Sequence, residues 1–226
     1  MSMQTSNRAS GRLVSVNLGQ TQTFTDGKRV FTSAIAKRPR DGRIALHGIN
    51  LDGDDQADRQ AHGGPDRALY AYASEDYAWW EGELGRPLAP GLFGENLTLR
   101  GIDVNGAVVG EQWRVGNAIL RVTSPRIPCY KLAHVVGETD FVKRFAAALR
   151  PGAYLAIVEE GDVGTGDDVE ILAKPAKSVT LADFARVYFS DHARIPELLD
   201  IPGMTESWRA WAVERTASRS TGTTVT

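Results

Sequence analysis

Residues 112–132 read QWRVGNAILRVTSPRIPCYKL. Trp113 and Val115 lead into Gly116-Asn117, a pair that tolerates the positive φ of a tight turn, and beyond it Ile119 alternates with Arg121. This is the pattern of two half-buried antiparallel strands joined by a two-residue hairpin, and it predicts strands over 112–115 and 118–123. The second half of the stretch then changes character. Pro125 and Pro128 stiffen the chain, and Leu132, Val135 and Val136 set up a helical periodicity closed by Gly137. The order is strand, rigid turn, helix.

Pro128 suits a first helical position, because its φ is already helical and its missing N–H is not needed there. Cys129 is then expected at the second helical residue, inside the positive end of the helix. Exposed N–H groups, the helix dipole, Arg126 and Lys131 would all favour its thiolate. A lone cysteine is commonly a small buried hydrophobe, but the flanking cations favour a reactive thiolate here.

Outward from this segment, short alternating stretches predict further strands at 11–17, 30–36, 68–73, 154–159 and 168–172. Ser74 is placed to cap a helix that ends by Gly85, and Asp140 to cap 141–149 with Phe141, Phe145 and Leu149 on one face. After Pro175 the pattern becomes helical. Thr180 and Asp183 form a capping-box-like start to 181–189, followed by 195–199 and 205–215. The expected organisation is a mainly β domain over 11–174 with peripheral helices and a small three-helix domain over 175–215. The polar segments 1–10 and 216–226 are expected as tails.

The chain has 226 residues, enough to bury a sizeable core, and a formal net charge of −2. Phosphate-tracking proteins carry a clustered basic excess, so nucleic acid is not an expected partner. The single cysteine cannot form an internal disulfide, and the opening MSMQTSNRAS lacks an apolar stretch. No run approaches the roughly 20 apolar residues that span a bilayer. A cytoplasmic, reducing setting without membrane attachment is expected.

Three other segments carry polar chemistry. Residues 58–67 (DRQAHGGPDR) combine the glycines Gly63 and Gly64 with the donors His62 and Arg67, so free backbone N–H groups could cradle a phosphate or a pterin edge. Residues 92–97 (LFGENL) offer the amide of Asn96 and a ring, Phe93, that could line a flat ligand. Lys37, Arg38, Arg40 and Arg43 form a basic run, of which Lys37 and Arg43 are the candidates for an anionic cofactor tail. Either loop taken alone could equally be an ordinary turn.

Other motifs fail. Asp52, Asp54, Asp55 and Asp58 suggest a calcium loop, but Ala57 stands where a glycine is required and Gly63 where the closing glutamate belongs. His47, His62, His134 and His192 lack zinc spacing. Residues 161–168, although rich in glycine, have no phosphate-loop lysine and read as a tight turn.

Taken in order, the HGGPD loop at 62–66, the FGENL loop at 93–97 and the PRIPC segment at 125–129 resemble the MOSC family, in particular its YiiM-like branch. The resemblance continues through AIAKRP at 34–39, ALHGINLDGD at 45–54, GEQW at 110–113 and the C-terminal helices, so it covers nearly the whole chain. It implies a β-barrel with peripheral helices, a molybdopterin-type molybdenum cofactor and a trailing three-helix domain. By the same resemblance Cys129 would be the metal's protein ligand and the catalytic residue, since a soft thiolate suits a metal already held by sulfur. His62, Gly63, Gly64, Arg67, Phe93, Asn96, Arg126 and Lys131 would line the pterin and its phosphate, with Lys37 and Arg43 as helpers. Tyr130 departs from the indole expected after the cysteine, and Gln56 with Asp58 surrounds the loop before His62; these departures could tune the substrate pocket.

YiiM-like proteins and the mitochondrial amidoxime-reducing component imply reduction of N-hydroxylated compounds, such as hydroxylaminopurine-type bases, with electrons from a separate reductase. Two alternatives stay open. Cys129 could act as a sulfur carrier or in carbon–sulfur cleavage, as in other MOSC proteins. The barrel could instead be a cofactor-binding module that docks a redox partner, or a second copy as a homodimer, through Trp208 and Trp211.

Overall fold

The computed structural model describes residues 10–57 and 63–220, with the side chains of residues 219 and 220 left out. His62 and the rest of 58–62 lie outside the described residues.

Among the described residues thirteen strands are formed: β1 (Ser10–Leu18), β2 (Gln22–Asp26), β3 (Arg29–Ser33), β4 (Arg38–Arg40), β5 (Arg43–His47), β6 (Asn50–Leu51), β7 (Leu69–Ala73), β8 (Leu97–Arg100), β9 (Gln112–Val115), β10 (Ala118–Pro125), β11 (Ala153–Glu159), β12 (Gly161–Gly164) and β13 (Asp168–Ala173). The main sheet runs β13-β9-β10-β11-β7-β8-β1-β4, and β1 also pairs with β13, which closes seven strands into a barrel. Closure removes the free edges that an open sheet would expose. The expected mainly β fold is therefore a barrel. Among the described strands every pairing is antiparallel except β7 with β8. A parallel pair needs a crossover, and α1 (Ser74–Leu84) supplies it.

The hairpin read from 112–121 is present in register, with Val115 opposite Ala118 across Gly116-Asn117. Its buried face carries Trp113, Val115, Ala118, Leu120 and Val122, while Ile119 lies on the partly exposed side with Arg121. The glycine-rich 161–168 is more than the expected tight turn, since its first four residues are β12, paired with β5. Two-sided exposure hid β2 and β4 from an alternation test, and the brevity of β6 did the same.

Helix α1 starts at Ser74 with Ala73 as its N-cap, so Ser74 is not the cap; Gly85 closes it in the left-handed region at φ 64°. The helices α2 (Tyr130–Val136) and α3 (Phe141–Ala148) follow the barrel strand β10. Together these three helices enclose an aromatic cluster of Tyr72, Tyr77, Trp80, Phe93, Phe141 and Phe145. The fully buried Phe93 ring sits 4.8 Å from Tyr77, 5.0 Å from Tyr72 and 5.8 Å from Phe141, centroid to centroid. Phe93→Ala is expected to cost about 3–5 kcal/mol, read as a lower urea midpoint at unchanged slope.

The C-terminal helices are α4 (Leu181–Phe189), α5 (Ile195–Leu198) and α6 (Glu206–Ser220). Thr180 caps α4 as expected, its hydroxyl accepting the Asp183 N–H at 3.1 Å. Their apolar faces do not close a core of their own. Phe184, Ile195, Leu198, Met204 and Trp208 belong to the same buried cluster as Trp113 and Leu120 of the barrel. Among the described residues no helix is long and apolar enough to cross a membrane.

Candidate functional site

Strand β10 is irregular between Val122 and Ser124, where its register against β11 shifts. Such a bulge re-aims the chain. Thr123 anchors it by donating to the Asp66 carbonyl at 2.6 Å, with the Tyr154 carbonyl 3.0 Å away. The chain then leaves the barrel as Pro125-Arg126-Ile127-Pro128-Cys129.

Cys129 is the N-cap of α2, with φ −131° and ψ 174°, and not the second helical residue that the sequence suggested. Backbone through the cysteine stays extended, and the first helical bond runs from the Leu132 N–H to the Cys129 carbonyl at 2.9 Å. A seven-residue helix contributes little dipole. The positive surroundings come instead from side chains. Cys129 is half-buried and lines a cleft of about 640 Å3, mouth included, with Lys37, Arg67, Arg126 and Lys131 in the same wall. Among the described residues that line the cleft, two carboxylates, Asp54 and Asp55, stand against these four cations. The cleft is net cationic although the whole chain is slightly acidic.

Arg126 is buried, its Nη1 donating to the Phe93 carbonyl and its guanidinium carbon 4.9 Å from the Tyr70 ring centroid. Burial works against its charge, but Tyr154, Tyr70 and Cys129 outweigh that and hold it above the usual arginine range. Tyr70 donates to the Pro151 carbonyl at 2.8 Å, and burial pushes its phenol well above the ordinary value. Arg67 lines the cleft with its guanidinium 5.8 Å from the Tyr154 ring.

The floor of the cleft is a polar knot centred on Asp54. One carboxylate oxygen accepts from the Gly19 N–H at 2.7 Å and from Lys37 Nζ at 2.5 Å; the other accepts from Lys37 at 2.6 Å and from Asn96 Nδ2 at 3.0 Å. The two charged side chains are only 8% and 2% exposed. Burial pulls the Lys37 ammonium below the usual lysine range, with Asp54 opposing. Asn96 also reaches the Asn17 carbonyl and accepts from the Tyr70 N–H. Both of its amide protons are thus used within the protein, so it lines the cleft without a donor to offer.

Two residues assigned to the site from sequence lie elsewhere. The Phe93 ring belongs to the aromatic core, and only its carbonyl serves the site, through Arg126. Arg43 is on the exposed face of β5, where Asp167 and Asp162 hold it and keep its guanidinium firmly charged. Gly64 sits at φ 92°, where a side chain would be strained, and a Cβ on Gly63 would lie 2.4 Å from Gln56 Oε1, so that side chain would have to move. The Gly64 N–H is already donated to Gln56 Oε1 at 3.0 Å, so it is not a free phosphate cradle.

Sequence reasoning missed Asp54, Tyr70 and Tyr154 as cleft residues, whereas Gln56, expected as a residue that could tune the substrate pocket, does line the cleft. Asp54 was considered only as a calcium ligand, and the partners that explain it are scattered from Gly19 to Asn96. Gln56 carries a local signal, because its side chain and the Gly64 N–H it accepts from are only eight residues apart.

The MOSC domain model matches residues 58–170. YflK of Bacillus subtilis is 37% identical over 202 residues, covering 88% of this chain and 91% of that protein. A protein named reductase from Gibberella moniliformis is 28% identical over 183 residues, covering 78% of this chain but 32% of its own greater length. The crystal structure of YiiM from Geobacillus stearothermophilus superposes with a TM-score of 0.75 at 28% identity, covering 91% of this chain and 98% of that one.

Proposed function

Because the chain belongs to the MOSC family and is YiiM-like, we propose that its cleft holds a molybdopterin-type molybdenum cofactor and that the protein reduces N-hydroxylated compounds. The single observation that carries this reading is the placement of Cys129: a half-buried thiol in an open cleft whose walls are net cationic. The donor set fits the group. A soft sulfur ligand suits a sulfur-coordinated metal, and Arg67, Arg126 and Lys131 suit a phosphate. The reductase name of one relative points the same way.

Bound there, the cofactor supplies the redox chemistry, converting R–NHOH, two electrons and two protons into R–NH2 and water. Electrons come from a separate reductase. The protein orients substrate against Cys129 and fixes one cation by burial: Arg126 is held by the Phe93 carbonyl and the Tyr70 face and cannot swing away.

Purified protein is expected to contain molybdenum near one atom per chain and to reduce a hydroxylaminopurine with a viologen as electron donor. Sulfur released from Cys129 as a persulfide, without metal, would replace this reading with the sulfur-carrier one. Cofactor bound with no turnover would make the protein a carrier.

A further inference from the structure

The reaction consumes protons, so something in the cleft has to deliver one to the oxygen that leaves. Resting on the function proposed above, we propose that Lys37, clamped by Asp54, is the acid that protonates this departing oxygen.

Among the described residues, chemistry and geometry set Lys37 apart from Arg67, Arg126, Tyr70 and Lys131 in the cleft wall, and Tyr154 is the competing donor. Guanidinium groups do not release protons at working pH, which removes Arg67 and Arg126. The Tyr70 proton is committed to the Pro151 carbonyl in a buried bond. Lys131 is half-exposed and two residues from Cys129, placed as a solvated cation. Lys37 differs from a phosphate anchor in one decisive respect: both oxygens of Asp54 lie within 2.6 Å of its ammonium. A cation so neutralised adds little attraction for an anion, but it still carries a proton. Two of its three N–H bonds end on Asp54, and the pair forms part of the cleft wall.

The groups that set its acidity are Asp54 and Glu95, which favour the ammonium, and Arg126, which with burial disfavours it. The net direction is down from the ordinary lysine value, which makes this ammonium a readier proton donor than a solvated lysine. In the cycle, the N–O bond breaks as the two electrons arrive and one Lys37 N–H bond breaks as the new O–H bond forms. The second proton and the reprotonation of the neutral amine both come from water at the cleft mouth. Asp54 remains an anion throughout and keeps the amine in place.

The test uses the cofactor-loaded protein and three variants, Lys37→Met, Lys37→Arg and Lys37→Ala. Molybdenum content is expected to persist in all of them while kcat falls roughly 100-fold or more at little changed KM. Lys37→Arg, which keeps charge but gives up no proton, is expected to be as slow as Lys37→Met, and ethylammonium to restore turnover to Lys37→Ala. Independently of turnover, NMR of 13C-labelled lysines in cofactor-free protein is expected to show one lysine, lost in Lys37→Arg, titrating below its fellows. The proposal is overturned by wild-type rates in Lys37→Arg, by loss of molybdenum from folded Lys37→Arg, by an ordinary lysine titration, or by Tyr154→Phe abolishing turnover where Lys37→Met does not. Wild-type protein that binds molybdenum but never reduces N-hydroxylated compounds would sink the proposed function, and Lys37 as acid with it. Should Lys37→Met fail to fold, Lys37→Arg and the amine rescue still decide the matter.

Discussion

Cys129→Ala is expected to leave the fold intact and to strip the protein of molybdenum, with N-reductase activity lost in step. The substitution removes one sulfur from a half-buried position at the cleft wall, so its cost in stability is expected to stay within about 1 kcal/mol. Its effect on metal retention is a different order of thing. Substituting a residue behind a metal ligand costs roughly 10–100-fold in affinity, and removing the ligand itself is expected to exceed that. Cys129→Ser tests the chemistry more finely, because it keeps a small polar atom in place but replaces a soft donor by a hard one. Metal analysis after gel filtration, alongside a urea melt of each variant, separates loss of ligand from loss of fold. Full molybdenum in Cys129→Ala would show that the cofactor is held by something other than this sulfur.

The parts of this molecule that were legible in the sequence are those whose physics is local. The Gly116-Asn117 hairpin, the left-handed closures at Gly85 and Gly137, and the Thr180 cap each depend on residues within four positions of one another, and each stands as expected. What failed depends on distance along the chain. Arg43 looked like an anion ligand until its partners, 119 and 124 residues away, claimed it. Phe93 sits in a loop rich in polar signals, yet α1 and α3 fold over it and make it core. Pro128 could have opened a helix, but the chain stays extended for one residue more, which moves Cys129 from the helix to its cap.

The same lesson separates the cleft's two kinds of cation. Arg126, Lys131 and Arg67 were found by position within motifs, and the structure brings all three to one wall. Lys37 arrived there for a reason that its own motif does not contain. Its carboxylate partner comes from a loop that looks like a failed cation site, and the pairing turns an apparent anchor into a neutral unit.

That pairing sets up a large and pH-dependent expected effect on stability. Asp54→Asn is expected to destabilise the protein by about 3–5 kcal/mol at neutral pH, because removing one partner of a buried ion pair leaves the other charge without compensation. The loss is not constant with pH. Lys37 already sits below the usual lysine range because of burial, and without Asp54 its folded-state pKa falls further. Between that lowered value and the unfolded value near 10.4, the unfolded chain binds one more proton than the folded one, so stability rises with pH. The window is wider in Asp54→Asn than in the wild type, whose carboxylate holds the proton on. Urea melts at pH 6, 8 and 10 are therefore expected to show the variant gaining on the wild type as the solution becomes more alkaline, at up to about 1.4 kcal/mol per pH unit. A deficit of the same size at all three pH values would mean that Lys37 is not the charge left behind, and that Asp54 stabilises the fold chiefly through its bonds to Gly19 and Asn96.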